Sequence, residues 1–257
     1  GTLRDMVQNH LLQLVSVVAM EPPATLSSRD RRDEKVKVFR SIRPLEAAQL
    51  GQHAVRGQYA AGTVAGEAVP GYLEEEGVPA DSRTETFVAL RLFIDNWRWR
   101  NVPFYLRTGK RLPAKRSQIA IRFRHPPQQL FQSTPIAEID ANWIRLQLQP
   151  EECIEIDLHA KEPGLDLRSR VLRFSTSYRN SDEPAGDAYE TLLLDVIEGD
   201  RSLFIRFDEV EESWRVVAPL LDAWAADDRP PARYAAGSWG PTEADGLASH
   251  REHRWRA

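Results

Sequence analysis

Two hydrophobic periodicities divide this chain, and together they confine its fold. Between Thr86 and Tyr178 apolar and polar residues alternate in short runs: IAIRFR at 119–124, WIRLQLQ at 143–149, CIEIDLHA at 153–160 and VLRFSTSY at 171–178, with a looser run from Thr86 to Trp99. A period of two is the mark of a half-buried strand. Pro150-Glu151-Glu152, between the second and third runs, reads as the turn of a hairpin. The ends of the chain repeat at helical spacing instead. Leu3, Met6, Val7, Leu11, Leu14, Val15 and Val18 make one stripe that Pro22-Pro23 terminates, which predicts a helix over 3–20. After a polar link through 24–33, EKVKVFRSIRPL predicts a second short helix ending near Pro44. Residues 187–199 and 207–225 predict two more, the first stopped by Gly199, whereas the Gly-rich text from 54 to 80 reads as irregular. Strands in the middle and helices at both ends predict an α+β fold, a large and mostly antiparallel sheet with helices packed on one face.

Several classes of protein are excluded at this level. With 257 residues, 42% hydrophobic and 28% charged, the chain can bury a substantial core as one large domain or two small ones. Its densest apolar run, LLQLVSVVAM at 11–20, is interrupted by Gln13 and Ser16 and is too short to span a membrane. The single cysteine, Cys153, rules out an intramolecular disulfide and a cysteine-built zinc site, and suits a reducing compartment such as the cytoplasm. No GxGxxG or GxxxxGK[ST] loop opens a helix, so no nucleotide-binding half is visible. The first residue is Gly1 and a helix starts almost at once, which leads us to expect a piece of a longer protein.

Polar residues in unusual places come next. At about 100° per residue, His10 falls inside the arc of Leu3, Met6, Val7, Leu14 and Val18 and should point with the apolar face. Two readings stand: a core histidine satisfied by a backbone carbonyl, or a general base, since imidazole titrates nearest neutral pH. Asp5 and Gln8 form a D-x-x-Q pattern that a capping box at the helix start would explain. The net charge of −4 conceals a basic stretch, 91–124, with ten Arg or Lys and one acid, Asp95; 183–212 holds ten acids against Arg201 and Arg206. Within the basic stretch, Lys110 and Lys115 flank a turn in which Gly109 permits an unusual conformation or a close approach and Pro113 stiffens the exit. Two ammonium groups converging there would suit a phosphate or a sugar hydroxyl; a solvated surface is the plain alternative. Trp97, Trp99, Phe104 and Tyr105 among the arginines also suit single-stranded nucleic acid, although Trp97 and Trp99, on one face of a strand, read more simply as core.

Longer strings are more specific. DMVQNHLLQL, VAMEPP, RDEKVKV, GVPADSRTETFVALRLFIDNWRWRNVPFYLRTGKRLP, YETLLLDVIEGDRSLFIRFDEVEESW and GSWGPTEAD, in this order, resemble the glucose-6-phosphate dehydrogenase family over essentially all 257 residues. The resemblance implies that His10 is the base that takes the proton from the sugar C1 hydroxyl while hydride leaves for NADP+. It implies that Asp5 holds the substrate and that Lys110 and Lys115 belong to the glucose 6-phosphate site. Gln149 corresponds to a further substrate contact. The family's G-x-x-G-D-L loop and R-I-D-H-Y-L-G-K-E segment occur nowhere in this sequence. Residues 1–257 are therefore expected to be the C-terminal substrate-binding and dimerisation domain, without the N-terminal dinucleotide-binding domain that binds most of the NADP. Where some relatives hold a second, structural NADP+, this chain has Gln147 and Trp239, which argues against that site. The implied assembly is a homodimer or a dimer of dimers through the sheet, with no metal, no nucleic acid and no membrane as partner. The alternatives are an inactive fragment that only dimerises or scaffolds and, more remotely, a basic-aromatic nucleic-acid binder.

Overall fold

Strand β4 (Phe87–Phe93) is buried along nearly its whole length, because both of its faces are covered. The computed structural model of the chain describes residues 1–46, 49–125, 140–178, 188–201, 204–248 and 255. They fold as two compact units, Gly1–Pro113 with Gly186–Trp255, and Ala114–Ala185. The first unit opens with helix α1, wound as a π-helix over Leu3–Leu11 and as an α-helix over Leu12–Ala19. It continues with α2 (Ser28–Ser41), α3 (Leu50–His53), β1 (Ala54–Ala60), β2 (Gly62–Val64), β3 (Glu67–Val69), β4 and β5 (Pro103–Gly109). After the second unit come α4 (Ala188–Glu198), α5 (Phe207–Ala226), β10 (Ala232–Ala235) and α6 (Glu243–Leu247). The second unit holds β6 (Ser117–Arg122), β7 (Trp143–Gln149), β8 (Cys153–Lys161) and β9 (Ser169–Ser177).

In the first unit the sheet order is β10-β1-β4-β5, with β1 parallel to β10 and the other pairs antiparallel. Successive side chains of β4 point to opposite faces. Val88, Leu90 and Leu92 join a core with Leu3 and Leu12 of α1, Phe39 of α2 and Leu220 of α5. Phe87 and Ala89 join a second cluster with Tyr59, Tyr234 and Leu247. Coverage on both sides is why this strand reads as an apolar run more than as an alternation. The helices are tied by polar links as well. Glu209 of α5, wholly buried, accepts the Arg206 N–H and lies 2.5 Å from the Lys35 ammonium of α2. At the end of α5 and just past it, Arg56 of β1 donates to the carbonyls of Trp224, Asp227 and Arg229 at 3.0, 3.2 and 2.9 Å, which satisfies acceptors a helix end leaves unpaired.

In the second unit the order is β6-β7-β8-β9, antiparallel throughout. Its two faces differ in kind. On one, Arg145 grips Asp157 with two bonds of 2.7 and 3.0 Å and reaches Glu155 at 2.8 Å, while Arg173 from the next strand bonds Asp157 at 2.8 Å. Those guanidinium groups, Arg145 first, hold the Asp157 carboxyl well below the usual carboxylate range. The other face presents Ile121, Ile144, Leu146, Ile154, Ile156 and Phe174, half-buried or exposed.

The α+β class with mostly antiparallel sheets is borne out, the strands being shared between two four-stranded sheets and the β2-β3 ribbon, while the helices are not confined to one face: α1, α2 and α5 pack on one side of β4 and the short α6 on the other. The hairpin around Pro150-Glu151-Glu152 forms as expected. Three readings need correction, and one strand was not foreseen. Residues 54–80 are not irregular: β1 is a core strand whose alternation is blurred by Gly57, where a Cβ would meet Pro241 Cγ at 3.1 Å and Phe87 Cβ at 3.3 Å. Pro103–Gly109, for which no element was predicted, is a strand paired with β4. The polar link 24–33 ends early, because Ser27 accepts the Asp30 N–H and starts α2 there. Trp97 and Trp99 do not share a strand face: β4 stops at Phe93, and Trp97 lies fully exposed in the turn while Trp99 packs on Phe104 at 5.1 Å. Asp187, the first residue of a predicted helix, lies outside the described residues.

The ionic face of the second unit carries a prediction. A carboxyl with a depressed folded pKa contributes stability that is complete above its unfolded value, about 3.9, and is lost as pH falls below it. Asp157→Ala should therefore cost about 3 kcal/mol at neutral pH, the low end for a broken buried pair because Glu155 still serves Arg145. Asp95→Ala, from an exposed pair with Arg43, should cost less than about 1 kcal/mol. Urea unfolding at pH 7 and near pH 3 checks both, and the gap between wild type and Asp157→Ala should narrow at the lower pH.

Candidate functional site

Helix α1 is anchored at its start by one residue. Glu85, just before β4, accepts the Thr2 N–H on its backbone carbonyl at 3.1 Å and the Leu3 N–H on its carboxylate at 2.9 Å. A carboxylate at that end also opposes the helix dipole favourably. Asp5 plays no capping part: Thr2 stands at the helix start with no side-chain cap bond, and Gln8 is turned inward to donate to Ser213 of α5 at 2.8 Å. The capping-box reading of Asp5 and Gln8 is thus overturned, and Asp5 is exposed.

His10 does not point with the apolar face. It is exposed, and its imidazole has no hydrogen bond or ion pair among the described residues. The reason is the winding. The Leu12 N–H bonds to the Val7 carbonyl, a step of five residues where an α-helix would use four. Widening the turn brings Leu3, Val7, Gln8 and Leu12 to the buried side and leaves Asp5, Asn9 and His10 on the outer side. At 3.6 residues per turn Asp5 and His10 would stand roughly 140° apart; with i→i+5 bonding they stack one turn above the other. The core-histidine reading falls with the phase it assumed, and Asn9, which the periodicity did not single out, shares the exposed face.

Lys110 belongs to the same unit. It follows β5 at once, on a turn seated against β4, and its side chain is exposed. Of the two possibilities raised for Gly109, close approach is the one used, since a Cβ there would stand 2.8 Å from Phe87 Cδ2. The left-handed backbone falls at Arg111, with φ of 54°. The Lys110 N–H donates to the Thr86 carbonyl at 2.8 Å, so the turn and α1 are tied to neighbouring residues, Thr86 and Glu85. Lys115 and Gln149 lie in the second unit and are exposed, Gln149 as the last residue of β7. The structure thus leaves Asp5 and His10 exposed on one helix, sets Lys110 in their unit, and leaves Lys115 and Gln149 in the other.

No dinucleotide cradle is formed by the described residues: their one parallel pair, β1 with β10, is not joined through a glycine-rich turn into a helix. Trp239 is engaged by Arg107, whose guanidinium lies 5.1 Å from its ring and 4.9 Å from that of Trp255. Gln147 sits half-buried in β7, its carbonyl accepting the Tyr178 hydroxyl. Neither residue offers a cation to a second NADP+. No group of three or more His, Cys, Asp or Glu placed to hold a metal occurs among the described residues.

Over residues 1–256 the sequence matches the family described as glucose-6-phosphate dehydrogenase, C-terminal domain. It is 47% identical over 259 residues to the glucose-6-phosphate 1-dehydrogenase of Dickeya dadantii, covering 99% of this chain and 52% of that protein. It is also 47% identical to that of Zymomonas mobilis over 260 residues, covering 99% and 53%. A solved glucose-6-phosphate dehydrogenase in complex with its substrate glucose-6-phosphate superposes with a TM-score of 0.86 at 34% identity, over 100% of this chain and 51% of that one. The Mycobacterium avium glucose-6-phosphate 1-dehydrogenase superposes with a TM-score of 0.82 at 39% identity, over 100% and 50%. The chain spans about half the length of these relatives. The winding of α1 is checked by a pair of substitutions. With Leu12 buried and His10 exposed, Leu12→Ala should destabilise the chain by about 2 to 5 kcal/mol and His10→Ala by no more than about 0.5 kcal/mol. Equal losses in thermal or urea unfolding would restore the α-helical phase.

Proposed function

The chain belongs to the glucose-6-phosphate dehydrogenase family through its C-terminal domain, and from that membership we propose that residues 1–257 form the substrate-binding and dimerisation domain of an NADP-dependent enzyme oxidising glucose 6-phosphate at C1 to 6-phosphogluconolactone. The observation that carries this reading is the π-wound turn of α1, which stacks Asp5 and His10 on one exposed face. Oxidation at C1 removes a proton from the hydroxyl and a hydride from the carbon. This chain's part is the proton: the imidazole of His10 takes it, and the Asp5 carboxylate, one turn earlier, accepts a hydrogen bond from the sugar and orients it. Lys110 and Lys115 supply positive charge to the phosphosugar, and Gln149 a further polar contact. NADP+, the acceptor in this reading, is bound mainly by an N-terminal dinucleotide-binding domain outside this chain. The open apolar face of the β6–β9 sheet supports a homodimer or dimer of dimers, since a second copy would cover Ile144, Ile156 and Phe174. No helix among the described residues is long and apolar enough to cross a membrane, and the cytoplasm is the compartment proposed.

Purified alone, the 257-residue chain should form no NADPH from glucose 6-phosphate and NADP+ above a blank. Turnover in a sample whose mass matches the chain would refute the division of labour. In the complete enzyme, with the dinucleotide-binding domain present, His10→Asn should leave KM near normal and lower kcat by roughly a hundredfold or more. A near-normal kcat would remove His10 from catalysis.

The lysines are tested against a neutral comparison. In the complete enzyme Lys110→Ala or Lys115→Ala should each weaken glucose 6-phosphate by roughly ten- to a hundredfold in kcat/KM, the effect of deleting a charge-assisted bond of about 1.5 to 3 kcal/mol. Exposed Arg124→Ala should change little. If all three lose activity equally, toward glucose 6-phosphate and toward unphosphorylated glucose alike, the lysines contribute only a diffuse field.

A further inference from the structure

A lysine that binds a ligand through a long side chain gains from having its own backbone immobile, and the backbone of Lys110 is clamped at both of its polar groups. Its N–H donates to the Thr86 carbonyl at 2.8 Å, and its carbonyl accepts the Tyr234 hydroxyl at 2.7 Å. Thr86 and Tyr234 are buried, although the Lys110 side chain is exposed. The hydroxyls form a directed chain. The Tyr234 hydroxyl has one proton, given to the Lys110 carbonyl at 2.7 Å with the Thr86 carbonyl farther off at 3.3 Å, so the 3.1 Å bond between the two hydroxyls takes the proton of Thr86, whose oxygen also accepts the Tyr59 N–H at 3.1 Å. Burial pushes the Tyr234 hydroxyl up to about 12, which keeps it a donor near neutral pH. The next residue is held as well: the Arg111 carbonyl accepts the Gly237 N–H at 2.7 Å, and its guanidinium donates to Glu75 at 3.1 Å.

We propose that Tyr234, acting with Thr86, is a positioning residue that fixes the main chain of Lys110 for binding the phosphosugar. This rests on the assignment of Lys110 to the substrate site. The Tyr234 ring packs on Phe87, with centroids 5.5 Å apart, and on Tyr59 at 6.4 Å, so removing the hydroxyl alone leaves the aromatic packing in place. What is lost is the hold on the Lys110 carbonyl. The ammonium then samples positions away from the ligand, and small displacements of a contacting group weaken binding measurably. The deficit belongs in KM, since Tyr234 does not touch the reacting atoms.

The test uses the complete enzyme at a temperature well below its unfolding transition. Tyr234→Phe should raise KM for glucose 6-phosphate about three- to tenfold and leave kcat within about twofold. Lys110→Ala on the Tyr234→Phe background should cost less than it does in the wild type, because the lysine being removed is already misplaced. Should Tyr234→Phe fail to fold, Thr86→Val breaks the same hydroxyl chain and should raise KM alike, while Thr86→Ser restores it. An unchanged KM in the hydroxyl-deleted variants, or penalties that multiply independently of Lys110, would overturn the proposal. If Lys110→Ala itself leaves KM unchanged, the substrate-site assignment has failed; if it raises KM and Tyr234→Phe does not, only the positioning role falls.

Discussion

Burial of Phe87 is the constraint on which the first unit depends. Its ring is fully buried, and three glycines make room for it: a Cβ on Gly57 would stand 3.3 Å from its Cβ, on Gly109 2.8 Å from its Cδ2, and on Gly240 2.3 Å from its Cε2. These glycines come from β1, from the end of β5 and from the segment before α6. A single aromatic ring therefore gathers three distant parts of the chain, and the conformation at Gly240, with φ of 113°, is one that side chains resist. The residue just before that ring, Thr86, receives the Lys110 amide, and the residue before that, Glu85, receives the start of α1. Packing around Phe87 thus fixes the two anchor points of the candidate site.

From that anchor the winding of α1 decides what faces outward. An α-helix bonded from residue 3 onward would bring His10 to the core side and carry Leu12 away from it. The i→i+5 step closes an extra residue into the turn, which lets Leu3, Val7 and Leu12 all reach the core and frees the Asp5–His10 face. Wide turns have poorer internal packing, so this one is held from outside itself, by Glu85 at its start and by the Gln8 bond to Ser213. The winding is thus stabilised by its surroundings more than by local preference, as a candidate site on a less favourable conformation requires.

What the sequence made legible follows the same division. Strands with one covered face, such as β7, β8 and β9, declare themselves by alternation, and the hairpin between the first two is visible in its turn residues. β1 and β5 are obscured because their signals serve other ends: Gly57 and Gly109 are there to admit Phe87, and the one arginine of β5, Arg107, lies over the indoles of Trp239 and Trp255. The candidate site residues could be named by type and through the family resemblance, whereas their placement could not. A periodicity argument assumes 3.6 residues per turn, and where the helix departs from that value it inverts the very orientation it sets out to predict.

The two units also hold their polar groups by different means, and this bears on what each can do. In the second unit the charges pair across neighbouring strands, Arg145 and Arg173 upon Asp157, so one sheet face is closed by its own ions while the apolar face is left open. In the first unit several buried and half-buried polar groups are spent on the main chain: Arg56 on carbonyls at the end of α5, Tyr234 and Thr86 on Lys110, Glu85 on α1. Side chains that bond to backbone fix where other side chains begin without competing for a ligand. Asp5, His10 and Lys110 accordingly remain exposed on a scaffold whose main chain is held from beneath at Thr2, Leu3 and Lys110, which is the condition for a charged ligand to be met by groups already in place.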